Sequence, residues 1–277
     1  MVIDAHHHLK AGPGYPEKLA AECRRLGIDR VCVFSAGTMS AIYGIAENAA
    51  VLKAMEKYPE VIIGFACFNL GIDPLSKADE IARQGFKGVK FITPTRNYDD
   101  RSFYPVYGRL EALGLPVLFH LGIVSRNPGD RYYDIDNSRH RPIYLDTIAR
   151  AFPDLKIIGA HLGNPWYEEA AMAARWNPNL YFDLSGSTLK CKSSRFLGDL
   201  LWWTPESRYR DPSGRHAWEK IVFGSDVDAE EIEDVMKDYR KVMDELNLSP
   251  EIQRKVFGGT MAEILGIKES GNRISKM

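Results

Sequence analysis

The chain opens with Met1-Val-Ile-Asp-Ala-His-His-His8, an apolar run that ends in three histidines. A strand buried in a parallel sheet is near-continuously apolar, and its side chains alternate between faces with period two. His6 and His8 then converge on one side, while His7 faces the helices, where its replacement should leave a bound metal in place. Neutral imidazole is the commonest metal ligand, so the spacing reads as a His-x-His metal strand. A leftover purification tag would lie outside the fold, whereas these histidines come after the hydrophobic Val2 and Ile3 and an aspartate, Asp4.

Working outward, short apolar or β-branched runs recur at Val2–His6, Arg30–Phe34, Val61–Phe68, Gly88–Ile92, Pro116–His120, Lys156–His161, Leu180–Leu184 and Ile221–Gly224. Helical patterns follow nearly all of them, at Glu17–Leu26, Ala41–Tyr58, Pro74–Gln84, Tyr104–Leu113, Ile143–Ala151, Tyr167–Trp176 and Ala229–Leu246. Strands alternating with helices mark βα units and a parallel sheet, and eight such units predict an α/β fold, a closed (β/α)8 TIM barrel. An open doubly wound sheet is the alternative, but its GxGxxG turn is missing from the sequence. The barrel is expected over residues 1–268 as a single domain, with a frayed polar tail over 269–277. Two connections, about Leu121–Pro142 after the fifth strand and Ser185–Lys220 after the seventh, exceed ordinary βα turns. Long loops on that face of a barrel shape the substrate pocket.

Composition narrows the function. With 36 basic and 37 acidic residues the formal charge is −1, so there is no electrostatic footprint for nucleic acid or an anionic membrane, and a small-molecule substrate is expected. No run of 18 apolar residues occurs, and the N-terminus lacks a basic region followed by an apolar stretch and a cleavage site, so a soluble protein is expected. Cys23, Cys32, Cys67 and Cys191 form no CxxC pair and read as reduced core residues of a cytoplasmic protein. A homo-oligomer is expected on base rates alone.

Catalytic side chains of such barrels gather at the carboxyl ends of the strands. Here the first strand ends in His6-His7-His8, the fifth in His120, the sixth in His161 and the eighth in Gly224-Ser225-Asp226. A lone histidine at a strand end is usually a hydrogen-bonded core residue, but several at one topological level suit a zinc, manganese or iron site.

These segments resemble the amidohydrolase superfamily, in its amidohydrolase-related (amidohydrolase 2) branch. The likeness rests on Ile3-Asp4-Ala5-His6-His7-His8, Gly85-Phe86-Lys87-Gly88-Val89-Lys90, Phe152 through Gly163, Phe182-Asp183-Leu184-Ser185-Gly186, Phe223-Gly224-Ser225-Asp226 and Gly258-Gly259. It departs where Val227-Asp228 replace a common proline and Thr260 an asparagine. The resemblance implies one divalent metal, zinc ahead of manganese, held by His6, His8, His120 and Asp226. It gives Asp226 a general-base role and leaves His161 either to polarise or protonate the substrate or to hold a second metal. Lys90 is the position where some relatives carry a carboxylated lysine bridging two ions; one metal is the preferred reading. Asp4 and Asp183 are expected to orient ligating histidines through hydrogen bonds.

For the substrate, Arg126 and Arg139 offer guanidinium forks for a carboxylate, against a reading as mutually neutralised loop charges with Asp130, Asp134 and Asp136. Trp166, Trp202-Trp203 and Tyr132-Tyr133 suit an aromatic wall or plain packing, and Ser185 is a further candidate substrate contact. Two activities fit the residues. One is hydrolysis of a small amide, lactone or ester by a metal-activated water; the other is non-oxidative decarboxylation or hydration of an aromatic or unsaturated acid. A non-catalytic metal-binding protein is the third reading, and it would need a closed coordination sphere.

Overall fold

The computed structural model describes residues 1–268; the tail expected over 269–277 lies outside the described residues. Eight parallel strands run in sequence order: β1 (Ile3–His8), β2 (Arg30–Phe34), β3 (Ile62–Cys67), β4 (Gly88–Phe91), β5 (Val117–Phe119), β6 (Ile157–Gly159), β7 (Leu180–Asp183) and β8 (Ile221–Val222). Ala5 N–H donates to Phe223 O (2.7 Å) and Asp226 N–H to His6 O (2.8 Å), so β8 returns to β1 and the sheet is a (β/α)8 TIM barrel. Each strand falls within or against the run that predicted it, because a strand covered by helices outside and by its fellows inside must be apolar on both faces.

Alternation sorts each strand into two cores. Val31, Val33, Val89, Phe91, Val117, Phe119, Leu180 and Phe182 face the helices. Ile3, Ala5, Cys32, Phe34, Ile63, Phe65, Leu118, Ile158 and Tyr181 fill the barrel, with Met261, Ala262 and Ile264 of the last described helix beside them. On β1 the register against β2 slips by one residue between Asp4 and His7. A bulge of this kind re-aims side chains, so Ala5 and His6 both point inward and His8 follows on the same side.

Two helical expectations need correction. The predicted helix Ala41–Tyr58 is two helices, Ser40–Tyr43 and Asn48–Lys57. Gly44 at φ 59° turns the chain left-handed, and Ala46 N–H then bonds Leu9 O (2.6 Å), pinning this segment to the end of β1. The connection after β7 is no open loop, since it carries the helices Ser187–Cys191 and Ser194–Leu200. Cys23, Cys32 and Cys67 are buried as expected, but Cys191 is exposed.

The loop after β5 reaches over the mouth. Tyr133 and Ile135 pack on Ala36, Met39, Ile42, Tyr43 and Ile45 from the β2 side, and Tyr43 Oη donates to Ser125 O (2.8 Å). Among the described residues no helix is long and apolar enough to cross a membrane.

Candidate metal centre

β1 and β8 bring His6, His8 and Asp226 together at the rim, with one donor atom from each inside a 4.8 Å group. His6 Nε2 lies 3.8 Å and His8 Nε2 3.6 Å from Asp226 Oδ1, while His161 Nε2 lies 3.7 Å from Oδ2. Sequence spacing could not show that this rim is built on strained backbone. His161 and Leu162 sit at φ 61° and 47°, and Asp226 at φ 47°. Left-handed conformations of non-glycine residues cost energy and cluster at functional sites, and here they turn both side chains into the mouth.

The hydrogen bonds fix which imidazole nitrogen faces inward. His6 Nδ1 donates to Asp183 Oδ2 (2.9 Å), which leaves a lone pair on Nε2. Ser185 Oγ donates to Asp183 Oδ1 (2.5 Å), so it must accept from His161 Nδ1 (2.9 Å), and His161 Nε2 also presents a lone pair. A carboxylate or hydroxyl behind each ring is the usual support of a ligating histidine. Asp183 therefore orients two histidines at once, as expected for it. Ser185, expected to touch substrate, instead fixes the tautomer of His161.

Electrostatics agree with that arrangement. Burial alone would raise the Asp226 carboxyl, but the fields of His6, His8, His161 and Lys90 overcome it and hold the group at about 2. Asp183 is likewise held well below the usual carboxylate range despite its burial, by His6 first and then by His161 and Ser185. Burial lowers His8, His120 and His161 from their ordinary value. Lys90 is fully buried and burial lowers it to about 8 against the opposing pull of Asp226 and Asp183. Its Nζ lies 3.0 Å from His6 Nε2 and 5.5 Å above the Phe34 ring.

His120 joins the site less tightly. Its ring stands edge-on to His161, with centroids 5.2 Å apart, yet it lies outside both compact donor groups, His6/His8/Asp226 and His6/His161/Asp183. Among the described residues its Nε2 and His8 Nδ1 are buried without a hydrogen-bond partner, an arrangement that is rare unless something binds there. His140, which the sequence reading did not single out, stacks edge-on against His120 at 5.4 Å with both ring nitrogens unpartnered. Nothing in the sequence around it, Asn137-Ser-Arg-His140, marks it as a rim residue.

The remaining candidates scatter. Arg139 is spent on Asp134 (2.7 Å), Asp136 (3.5 Å) and Pro94 O (3.0 Å), so it ties the β4 and β5 loops together and is not a free carboxylate anchor. Arg126 is exposed on the loop after β5. Trp166 lies beneath the Arg141 guanidinium (5.6 Å), Trp203 is buried and Tyr132 is exposed. They build no common wall.

Two glycines let the site close. An added Cβ at Gly224 would lie 2.9 Å from His6 Cβ and 3.1 Å from Asp183 Cβ. At Gly186 (φ 68°, ψ −139°) it would lie 3.0 Å from His161 Nδ1. Side chains avoid that backbone region at a cost of about 1–3 kcal/mol. Gly186→Ala is expected to lower the thermal midpoint and displace His161 from Ser185, which a melting curve and a crystal structure of the variant would check; an unshifted imidazole would refute the packing argument.

A family model described as amidohydrolase matches residues 3–267. The chain belongs to the amidohydrolase family. No curated protein matches it. Among solved structures, this amidohydrolase is similar to the uncharacterized TIM-barrel protein Bb4693 from Bordetella bronchiseptica, at 18% identity and TM-score 0.73 over 96% of this chain and 98% of that one. It is also similar to 5-carboxyvanillate decarboxylase LigW from Sphingomonas paucimobilis (16%, TM-score 0.65, 96% and 99%). A third is dihydroorotase from Saccharomyces cerevisiae, in complex with 5-fluoroorotic acid (14%, TM-score 0.65, 97% and 85%). At these identities the likeness is one of fold.

Proposed function

We propose that this amidohydrolase is a divalent-metal-dependent enzyme that hydrolyses a small amide, lactone or ester. The observation that carries the reading is the meeting of His6, His8 and Asp226 donor atoms within 4.8 Å, with the His6 and His161 lone pairs directed inward by Asp183 and Ser185. The donor set is nitrogen-rich with one carboxylate, which suits zinc or manganese, and His120, outside the compact donor groups but with its Nε2 unpartnered, is the proposed fourth ligand. One ion is the preferred reading; Lys90 Nζ stands 3.0 Å from His6 Nε2, and that contact must give way for the nitrogen to hold an ion. When bound, such an ion supplies an ionised water at neutral pH and a Lewis acid for the oxygen under attack.

The chain's own residues divide the proton work. Asp226, ionised and part-exposed to the mouth, accepts the proton of the attacking water at Oδ2. His161 Nε2, 3.7 Å away, carries a lone pair. It therefore enters as an acceptor, and protonates a leaving group only after taking that proton from Asp226. A site holding Lys90 and a dication against two carboxylates stays positive, which favours a carboxylate-bearing substrate.

Decarboxylation or hydration of an aromatic or unsaturated acid is the second reading. It is supported by the likeness along nearly the whole chain to the LigW decarboxylase, 99% of which is covered.

The test begins with metal. Purified protein is expected to retain or take up Zn²⁺ or Mn²⁺, and His6→Ala or His8→Ala to abolish retention; full metal content in either variant would remove that residue from the centre. Metal-loaded protein is then screened against lactones, amides and aromatic carboxylic acids. Carbon dioxide release with inert lactones would overturn the hydrolytic reading in favour of the second.

A further inference from the structure

On the outer side of β1 a buried polar chain leads away from the rim. Tyr15 Oη lies 3.0 Å from His7 Nε2, and His7 Nδ1 lies 3.0 Å from Ser225 Oγ. Ser225 Oγ donates to Asp4 Oδ2 (2.6 Å), and Ser225 N–H donates to Asp4 Oδ1 (3.0 Å). The hydroxyl of Ser225 has one hydrogen, which Asp4 takes, so Ser225 must accept from His7 Nδ1–H. His7 Nε2 is left with a lone pair, and the hydroxyl of Tyr15 donates to it. With Asp4 ionised, the hydrogen bonds of the chain all run one way, from Tyr15 through His7 and Ser225 to Asp4.

Its position relative to the rim gives it a role. His7 sits between His6 and His8, and Ser225 precedes Asp226, so the chain grips β1 and β8 at the residues next to the donors. That seam is otherwise slight, because β8 is two residues long and backbone bonds cross it at Ala5–Phe223 and Asp226–His6. Asp226 is also held at an unfavourable φ, which must be maintained by its neighbours. Tyr15 opens the helix Tyr15–Leu26, which begins after Gly14 without a side-chain cap.

We propose that Tyr15 is a positioning residue of the metal centre, holding the β1–β8 seam through His7 and Ser225 so that His8 and Asp226 keep their 3.6 Å spacing. The inference rests on the proposed metal centre. It also sharpens the expectation for His7, whose loss weakens the site without removing a ligand.

The experiment is calorimetric titration of metal-free protein with Mn²⁺ or Zn²⁺ alone, alongside the thermal midpoint of the metal-free state. Tyr15→Phe is expected to weaken binding about tenfold, the lower end of what outer partners of metal ligands contribute. Ser249→Ala, which removes a helix cap at Ile252 N and takes no part in the Tyr15–His7–Ser225–Asp4 chain, should lower the midpoint and leave binding unchanged. His7→Phe, which deletes both ring hydrogen bonds, should weaken binding at least as much as Tyr15→Phe and serves if that variant does not fold. If unaltered protein binds metal, Asp226→Asn does not, and Tyr15→Phe binds within twofold of unaltered protein, the inference fails while the metal centre stands. If unaltered protein binds no metal, the centre itself fails.

Discussion

Asp226→Asn is expected to fold, to lose most of its metal affinity and to lose activity by about 10²–10⁴-fold, the range a positioned general base supplies. Asparagine is the informative replacement because it keeps the size of the side chain and tolerates the left-handed backbone that Asp226 adopts at φ 47°. What it removes is the one ionised oxygen pair facing His6, His8 and His161. Lys90 keeps Asp183 as a charge partner but loses Asp226, so its pKa, already lowered to about 8 by burial, falls further. Metal content, the melting curve and turnover of whichever substrate the screen finds would check this. A fully active Asp226→Asn would take the base role away from this residue.

The second large effect is acid lability of the metal-free protein. Burial lowers His140 to about 4 and leaves it neutral in the fold, whereas an unfolded chain protonates histidine near 6.5. Between those values the unfolded state binds more protons, so stability rises with pH and is lost as pH falls through the window. His140 alone is worth about 3 kcal/mol at about 1.4 kcal/mol per pH unit. His8 and His120, also pushed down by burial, act in the same direction. His7, lowered to about 4, is opposed by Asp4, which burial raises to about 7. A buried acid with a raised pKa binds its proton in the fold and gains stability as pH falls from 7 toward 4, so these two neighbours nearly cancel. The thermal midpoint with chelator present is expected to drop by several degrees between pH 6.5 and 4.5, and a bound ion should make the drop steeper by being released. A level midpoint would mean that the buried imidazoles have proton-stabilising partners.

Much of the barrel could be read from the chain because its strands are covered on both sides, and such strands advertise themselves as uninterrupted apolar runs. The helix break at Gly44 was less legible. Gly44 interrupts a helical pattern without ending it, and the break is settled by Ala46 pairing with Leu9, a long-range bond that no local pattern encodes. The same holds for His140, which lies on a charged rim loop in sequence but is carried under the mouth by the packing of that loop.

The sequence by itself determined the eight βα units and which residues end the strands: His6 and His8, His120, His161 and Asp226. Strand period and apolar runs are local properties, legible along the chain. Only the tertiary structure decided how those ends combine. It drew His6, His8 and Asp226 into one group and set His120 apart. It turned Ser185 from a substrate contact into the support of His161, and it paired Arg139 off with Asp134 and Asp136. Those outcomes depend on ring closure, a one-residue bulge in β1 and the strained backbone at His161 and Asp226. Each of these is fixed by contacts between residues far apart in the chain.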